Sequence, residues 1–584
     1  MYCNKENVNI LTALLVAHGV RHAVCCPGSR NAPIVHNLNE CPDIQCYPVT
    51  DERSAGFYAL GMSQALSQPV AVCVTSGTAL LNLAPAVAEA YYQQRPLIVI
   101  SADRPPQWID QLDGQTLPQP DALGRFVRKA VTLPEVSSSP PKLGGVRGGL
   151  NEETDASSPP KLGGVRGGLN SAEGRLLPEG RKKGGTDALV QTTPPAGTPP
   201  DSGGEWGWYC NRLVNEALLE PYGPVHINVP ISEPLFDFSV PSLPKERVIS
   251  RILPDISGNT LRHIGQMFML SKRPMLIDGQ PMNPLLDEAV SLIGDDESYV
   301  PDFVLYIGGS IVSKRVKHFL RKARETWVVN ATGEVTDTFM NLTQVIQGDG
   351  KVVADHVRFL CEDRPHPFVQ KWEELLSSLR QKTDALTPAF SQLAAVKLFE
   401  DKLSARPKAA CYQRDARTIN YKLSTINFKF STHYANSTAI RLANSFARHP
   451  VWCNRGVNGI DGSLSTAAGF SCVTDEKVFC VIGDLSFFYD QNALWNQNLR
   501  GNFRILLLNN GRGGIFSTLP GLDQSPARDK YVAAEHHTSA EGICMQNNVV
   551  YLKAVNMEEL QTGIDTLLYI DSDRPVLLEV CSSV

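Results

Sequence analysis

The sequence lacks the features that mark three large classes of protein. Its 55 lysines and arginines do not outnumber its 60 acidic residues, and the formal net charge of −5 leaves no basic surplus for binding a polyanion. It contains no run of eighteen or more apolar residues. The N-terminus has no long apolar stretch followed by a small-residue cleavage site. We therefore expect no nucleic-acid partner, no membrane insertion and no secretory signal.

Cysteine is present but not in a metal-binding or disulfide pattern. The 14 cysteines include no CxxC pair and no cluster with histidine at zinc spacing. This usage is typical of reduced thiols in a cytosol, which predicts a cytoplasmic location. The 584 residues suffice for about three domains at the usual size of roughly 100 to 200 residues. We expect a soluble multidomain protein.

The first part of the chain alternates between strand and helix patterns. Residues 70–75 (VAVCVT) form a short apolar run typical of a buried strand, and 76–78 form a tight turn. A helical pattern follows over 79–92, and the next strand is predicted at 97–100. Strand, turn, helix and strand in this order indicate an α/β fold with a doubly wound parallel sheet.

Residues 137–205 differ from the rest of the chain in composition. They are rich in Gly, Pro, Ser and Thr, and the segment 138–151 recurs unchanged at 157–170. Such a composition cannot bury enough apolar surface to offset the entropy of ordering it. Globular sequence resumes with a helix at 211–219 and a strand at 225–229. We predict a disordered surface insertion within the first domain, and favour a passive loop over a binding role.

Three domains are predicted in all. The first spans 1–235, the second 236–395 and the third 396–584. Strands are expected at 274–277, 303–307 and 327–330 in the second domain, and at 478–482, 505–508 and 576–580 in the third. The second domain looks shortened, because the chain between its first two strands has room for one helix at most. The stretch 408–430 shows no clean period and is not placed.

The most informative polar residues stand where two neighbouring strands of the third domain end. Asp484 follows one predicted strand, and Asn509 and Asn510 follow the next. Because ligands of parallel α/β sheets bind at the carboxyl edge, we expect these side chains to meet there. Carboxylate, amide and backbone carbonyl oxygens suit Mg²⁺ that keeps phosphate oxygens in its shell. Leu485 and Ser486 open the next helix, whose first amides can receive a diphosphate.

These residues resemble the diphosphate- and metal-binding motif of thiamine-diphosphate (ThDP) enzymes, although Leu485 replaces the usual second glycine. Residues 49–61 (VTDERSAGFYALG) resemble the segment with that family's activating glutamate, which would be Glu52, and 75–82 (TSGTALLN) resemble the turn that follows. The resemblance implies that Glu52 exchanges a proton with the cofactor's pyrimidine ring. It also implies a homodimer or homotetramer, with active sites at the subunit interface. The alternative for Glu52 is an ordinary acid stabilised by a helix dipole.

Within that family, the chain is most similar to the branch that makes 2-succinyl-5-enolpyruvyl-6-hydroxy-3-cyclohexene-1-carboxylate for menaquinone biosynthesis. That resemblance implies decarboxylation of 2-oxoglutarate and addition of the succinyl carbanion equivalent to isochorismate. The matching segments are 26–33 (CPGSRNAP), 101–106 (SADRPP), 113–116 (DGQT), 308–315 (GGSIVSKR), 436–441 (NSTAIR), 454–462 (NRGVNGIDG) and 513–519 (GGIFSTL).

The same resemblance assigns roles to individual residues. Both substrates are dicarboxylates, and the planar guanidinium of arginine matches a carboxylate. The residues implied to bind substrate are Arg30, Arg104, Gln115, Lys314, Arg315, Arg441 and Arg455. Those implied to bind the cofactor are Glu52, Ser437, Asp484, Leu485, Ser486, Asn510, Ile515, Phe516 and Leu519. The implied metal ligands, for Mg²⁺ or Mn²⁺, are Asp484, Asn510 and the backbone carbonyl of Arg512.

Other interpretations stay open at this stage. The chain could be an acetolactate-synthase-like carboligase or a 2-oxo-acid decarboxylase, which would need fewer cationic contacts to substrate. It could also be an inactive scaffold that binds a partner, or a damaged copy, because the shortened second domain, the repeat and the 408–430 stretch depart from the family's pattern. The histidines, His536 among them, have no partner at a readable spacing and are expected to be structural.

Overall fold

A computed structural model describes residues 1–135, 204–219, 222–250, 255–279, 285–404 and 429–582. Within these ranges the chain forms three separate sheets, all of them parallel. The predicted fold class is therefore confirmed. The repeat at 138–151 and 157–170 and the stretch 408–428 lie outside the described residues.

The first sheet has six strands in the order β2-β1-β3-β4-β6-β5. The strands are β1 (His22–Cys25), β2 (Gln45–Pro48), β3 (Val70–Val74), β4 (Leu97–Asp103), β5 (Lys129–Thr132) and β6 (Val225–Pro230). The helices are α1 (Glu6–Ala17), α2 (Ala32–Glu40), α3 (Glu52–Leu66), α4 (Thr78–Asn82), α5 (Ala84–Tyr92) and α6 (Gly204–Leu218). All five residues of β3 are buried, as expected for a strand covered on both faces.

One prediction for this region is wrong in detail. A single helix is expected over 79–92, but the structure divides it into α4 and α5 at Leu83. Pro85 stands in the first turn of α5, where its missing N–H costs nothing. The same residue could not continue α4, because proline cannot donate the hydrogen bond that a helix interior requires.

The second sheet has four strands in the order β10-β9-β8-β7. The strands are β7 (Pro274–Gly279), β8 (Phe303–Gly309), β9 (Glu325–Asn330) and β10 (Leu342–Gln347). The helices are α7 (Gly258–Leu270), α8 (Leu286–Ile293), α9 (Lys314–Leu320), α10 (Gly350–Asp363) and α11 (Pro367–Asp384). In the described part of the connection between β7 and β8, α8 is the one α-helix, which agrees with the short spacing in the sequence.

The third sheet has five strands in the order β11-β12-β13-β15-β14. The strands are β11 (Phe430–Tyr434), β12 (Lys477–Gly483), β13 (Phe503–Asn509), β14 (Val550–Ala554) and β15 (Val576–Cys581). The helices are α12 (Gln392–Ser404), α13 (Thr438–Phe446), α14 (Ser463–Cys472), α15 (Asp484–Tyr489), α16 (Glu541–Gln546) and α17 (Met557–Tyr569). The predicted strands are thus present in all three sheets, whereas the domain boundaries at 235 and 395 stay predictions.

The first and third sheets share one hydrophobic core, which joins α3 to α14. The two helices approach so closely that a Cβ at Gly61 would collide with the backbone carbonyl of Thr466. A Cβ at Gly469 would likewise collide with the backbone of Tyr58. Glycine at these two positions therefore permits the contact that fixes the first sheet against the third. No helix of the described ranges combines the length and apolar character that a membrane span needs.

Candidate active site

The carboxyl ends of β12 and β13 lie side by side, as the sequence predicts. Gly483 pairs with Leu508 in the parallel register, so Asp484 and the Asn509–Asn510 pair leave the sheet at the same edge. Asp484 is only 3% exposed. Its carboxylate accepts the N–H groups of Leu485 at 2.7 Å, Asn510 at 3.1 Å and Arg512 at 3.2 Å. The loop after β13 therefore closes around the Asp484 carboxylate.

A histidine lies beside this carboxylate. The Nε2 atom of His536 is 3.5 Å from the Oδ2 atom of Asp484, and the backbone N–H of His536 donates to the Gly511 carbonyl at 2.7 Å. Burial raises the pKa of Asp484 above its usual value. The N–H donors and the charge of His536 act in the opposite direction but do not cancel the effect of burial. The prediction that His536 is purely structural misses this proximity, because no local spacing connects His536 to Asp484.

The two asparagines after β13 have different environments. Asn509 donates to Glu579 Oε1 at 2.6 Å and to the Thr538 carbonyl at 2.9 Å, and its Oδ1 accepts the Gly511 N–H at 3.1 Å. Asn509 therefore holds the loop in shape. Within the described residues, the Asn510 side chain has no hydrogen bond, so its amide oxygen is available to a ligand.

The donor set at this edge fits a hard cation that also binds a diphosphate. The Asp484 carboxylate, the Asn510 amide and the Arg512 carbonyl are the oxygen ligands that Mg²⁺ prefers. A Cβ at Gly483 would meet no atom within 4 Å, so the strand end has open space beside it. Among the described residues, no group of three or more His, Cys, Asp or Glu could hold a metal. A cation here would depend on this mixed oxygen set.

The remaining predicted cofactor residues of the third domain follow the carboxyl ends of β11, β12 and β13. Leu485 is half-buried, and its N–H already serves Asp484. Ser486 is buried, and its hydroxyl donates to the Ile460 carbonyl. Ile515 and Phe516 are half-buried in the short turn Gly514–Thr518, and Leu519 is 45% exposed. Ser437 precedes α13 with a φ of 74°, a strained conformation for a serine.

Glu52 lies at the carboxyl edge of the first sheet. It is the first residue of α3, where Asp51 caps the helix by accepting the Ser54 N–H at 3.0 Å. The Glu52 carboxylate is half-buried and lies 3.4 Å from the amide nitrogen of Asn82. Burial and then the charge of Glu52 raise the pKa of the Cys26 thiol, which places Glu52 close to the end of β1. Three segments therefore converge on Glu52. They are the loop after β1, the loop after β2 and the end of α4.

Two of the predicted substrate arginines meet at the same edge. Arg30 is 5% exposed, donates to the Ile231 carbonyl at 2.8 Å and pairs with Glu233 at 3.0 Å. Burial and then the charge of Arg104 lower the pKa of Arg30. Gln115 is exposed in the following loop, and its backbone packs against Gly77. Arg104 pairs with Asp113 at 3.6 Å, so each of the two arginines already has a carboxylate partner in this structure.

The other predicted cations approach from the second and third sheets. Arg455 is half-buried and donates to Asn436 Oδ1 at 3.0 Å, and Arg441 stands exposed in the first turn of α13. Arg315 instead faces Asp287, at 3.7 Å, and Lys314 is exposed. Burial and then the charge of Arg455 lower the pKa of Lys317, so α9 reaches Arg455 through this lysine. Lys317 lies outside the matching segment 308–315 and is not among the predicted substrate residues.

Within one chain, the start of α3 contacts the C-terminal end of α15 and the turn Gln491–Leu494 that follows it. Asn492 donates to Asp51 at 2.6 Å, and Arg53 donates to the Tyr489 carbonyl at 2.7 Å. In the described part of the chain, no hydrogen bond or ion pair joins Glu52 to the loop around Asp484. The two polar edges are thus tied together through α15 without sharing a direct contact.

Comparisons with known proteins agree with this arrangement. The family model for the N-terminal TPP-binding domain of thiamine pyrophosphate enzymes matches residues 6–123. The 2-succinyl-5-enolpyruvyl-6-hydroxy-3-cyclohexene-1-carboxylate synthase of Bacteroides thetaiotaomicron is 38% identical over 100% of this chain and 97% of its own length. The synthase of the same name from Phocaeicola vulgatus is 38% identical over 99% and 96% of the two chains. That of Porphyromonas gingivalis is 30% identical over 99% and 95%.

Identity at this level over nearly the full length of both chains leaves little room for a different fold or cofactor. The matched N-terminal model includes Glu52, and the whole-chain matches include Asp484 and Asn510. The chain therefore belongs to the 2-succinyl-5-enolpyruvyl-6-hydroxy-3-cyclohexene-1-carboxylate synthase family of thiamine-diphosphate enzymes.

Proposed function

We propose that this chain decarboxylates 2-oxoglutarate and adds the succinyl unit to isochorismate, giving the product after which its family is named. The observation that supports this most strongly is the closed loop around Asp484. It offers one buried carboxylate, one amide that makes no hydrogen bond with the described residues and one backbone carbonyl at the carboxyl edge of a parallel sheet. ThDP, when bound, would supply the electron sink for the carbanion equivalent formed at the former carbonyl carbon as CO₂ leaves.

Each residue of the chain has a limited task in this proposal. Asp484, Asn510 and the Arg512 carbonyl would hold Mg²⁺ or Mn²⁺, which would supply positive charge for binding the diphosphate. The Glu52 carboxyl group holds and releases a proton at the oxygen that faces the pyrimidine ring. Ile515, Phe516 and Leu519 shield the cofactor from water on the apolar side, and Ser437, Leu485 and Ser486 shape the pocket wall.

The cationic residues bind the substrate carboxylates. Arg30 and Arg104 serve one edge of the pocket, with Gln115 as a hydrogen-bonding partner. Arg441, Arg455, Lys314 and Arg315 serve the other. Pyruvate has a single carboxylate, so a carboligase of the acetolactate type would not require so many cationic residues. The arrangement therefore favours two dicarboxylates over pyruvate.

The active assembly in this proposal is a homodimer or homotetramer. Glu52 of one subunit and Asp484 of another would then act on the same cofactor, with the pocket at the subunit interface. The family resemblance supports this arrangement. The cytoplasmic location stays a prediction from the cysteine pattern.

A substrate assay tests the proposal. With ThDP and Mg²⁺, the purified protein should consume 2-oxoglutarate fast only when isochorismate is present, because the second substrate accepts the succinyl unit. Mass spectrometry should detect the joined product together with CO₂. A preference for pyruvate would support an acetolactate-type enzyme instead. A calorimetric titration without any ThDP binding would support the inactive scaffold.

A further inference from the structure

A buried glutamate of the first sheet's helices holds the loop that contains Arg455. Glu89 lies on α5 and is only 3% exposed. Its Oε1 atom accepts the Gly456 N–H at 2.6 Å, and its Oε2 atom accepts the Val457 N–H at 2.7 Å. Gln93 donates to Oε1 from the same helix at 2.5 Å. Both carboxylate oxygens therefore accept backbone N–H groups of one loop. The two loop residues follow Glu89 in the sequence by 367 and 368 positions.

This contact is specific in its geometry. A buried carboxylate is strongly destabilising unless hydrogen bonds replace its lost hydration. Two of the three donors to Glu89 come from the Arg455 loop, so the carboxylate is satisfied only when that loop is docked. A Cβ at Gly456 would lie 2.8 Å from the Glu89 carbonyl and 3.0 Å from its Oε1 atom. Glycine at 456 is what lets the loop come this close.

The other side of the loop is held by Asn436. Its amide nitrogen donates to the carbonyls of Asn454 and Gly459, each at 2.7 Å. Its Oδ1 atom accepts Nη1 of Arg455 at 3.0 Å. The Nε atom of Arg455 is buried and makes no hydrogen bond with the described residues. Asn436 therefore fixes the guanidinium through Nη1, while one of its other donors lacks a partner in the described part of the chain.

We propose that Glu89 is a positioning residue for substrate binding, which fixes Arg455 by gripping the N–H groups of Gly456 and Val457. The inference rests on the proposed function, which assigns Arg455 to a substrate carboxylate. Glu89 itself touches neither substrate nor cofactor in this account. Its effect should appear in the apparent affinity for a dicarboxylate, not in the chemical step.

The variant Glu89→Gln tests this role. An amide oxygen can accept one of the two backbone N–H groups, but the amide NH₂ would face the other. The KM of at least one substrate should rise about tenfold, while kcat and the affinity for ThDP stay within about twofold, the pattern of lost uniform binding. Gly456→Ala should raise the same KM by displacing the loop from the opposite side. Steady-state kinetics with each substrate varied in turn measures both variants.

Glu288→Gln is a matched control. Glu288 lies on α8 and accepts the hydroxyl of Ser445, so it joins α8 to α13 without contacting the Arg455 loop. It should lower Tm and leave both KM values unchanged. If KM rises as much in this variant as in Glu89→Gln, the loss of any contact between two elements has the same effect. That result would overturn the proposal.

A double-mutant cycle separates positioning from general stability. If Glu89 acts through Arg455, the variant with both Glu89→Gln and Arg455→Ala should have the KM of Arg455→Ala alone. If the KM increase of the double variant equals the product of the two single increases, the positioning role is overturned. An unchanged KM in Arg455→Ala would instead contradict the substrate role of Arg455 in the proposed function. If Arg455→Ala raises KM but Glu89→Gln leaves it unchanged, only the role of Glu89 is refuted.

Discussion

Replacing Glu52 with glutamine is expected to lower kcat by about 10²- to 10⁴-fold, the usual contribution of a positioned acid or base. Glutamine has the size and hydrogen-bonding reach of glutamate, so the start of α3 should keep its shape. It cannot release or take up the proton that the carboxyl group exchanges with the pyrimidine ring. The affinity for ThDP, measured by calorimetry, should therefore change much less than kcat, measured with 2-oxoglutarate and isochorismate.

A control separates this role from that of an ordinary acid at a helix start. Glu541 is an exposed acid in the first turn of α16. Glu541→Gln removes the same favourable interaction with a helix dipole, which is about 0.3–1 kcal/mol, and should leave kcat unchanged. If Glu52→Gln also keeps a near wild-type rate, Glu52 is no more than a helix-start acid and the assignment of the proton donor is wrong.

Replacing Asp484 with asparagine is expected to abolish most cofactor binding. The variant loses the only charged ligand of the proposed metal site, and its amide NH₂ would face one of the backbone N–H donors. The affinity for ThDP with Mg²⁺ should fall by roughly 100-fold or more, since even groups one layer away from a metal contribute about ten- to hundredfold. Calorimetric titration measures the loss, and a chelator should produce the same loss in the unaltered protein.

Asp490 provides a control at the other end of the same helix. Asp490 is completely buried and accepts the N–H of Ser465 at 2.8 Å and its hydroxyl at 2.7 Å. Burial raises the pKa of Asp490 to about 7. Asp490→Asn should lower Tm but leave the affinity for ThDP within about twofold. Equal loss of ThDP affinity in both variants would mean that Asp484 acts by folding α15 and not by binding a metal.

The sheets and the meeting of Asp484 with the loop after β13 were predictable from the sequence. Buried parallel strands are short, continuous apolar runs, and β3, β12 and β13 have this pattern. Adjacent parallel strands bring their carboxyl ends together, so the position of a residue just after a strand fixes its place in the fold. The break between α4 and α5 was also predictable from Pro85. The prediction of a single helix over 79–92 did not take this proline into account.

The parts of the site that depend on contacts between distant loops were not predictable. Asn509 and Asn510 look alike in the sequence. The bonds of Asn509 to Glu579 and Thr538 distinguish it from Asn510, whose side chain makes no hydrogen bond with the described residues. In the sequence, Glu89 is one polar residue of an alanine-rich helix. Only the structure places the Arg455 loop against it. Lys317 and His536 likewise gain their meaning from neighbours that no local period connects to them.

The central claim is that Glu52 and Asp484 serve one cofactor from two different chains, and complementation tests it most directly. Glu52→Gln and Asp484→Asn proteins, each nearly inactive alone, are unfolded together, refolded as a mixture and assayed with both substrates. Random pairing into symmetric dimers would give about one quarter of the wild-type number of intact sites. Recovery of about that activity is the expected result, and a mixture as inactive as its components would contradict the account.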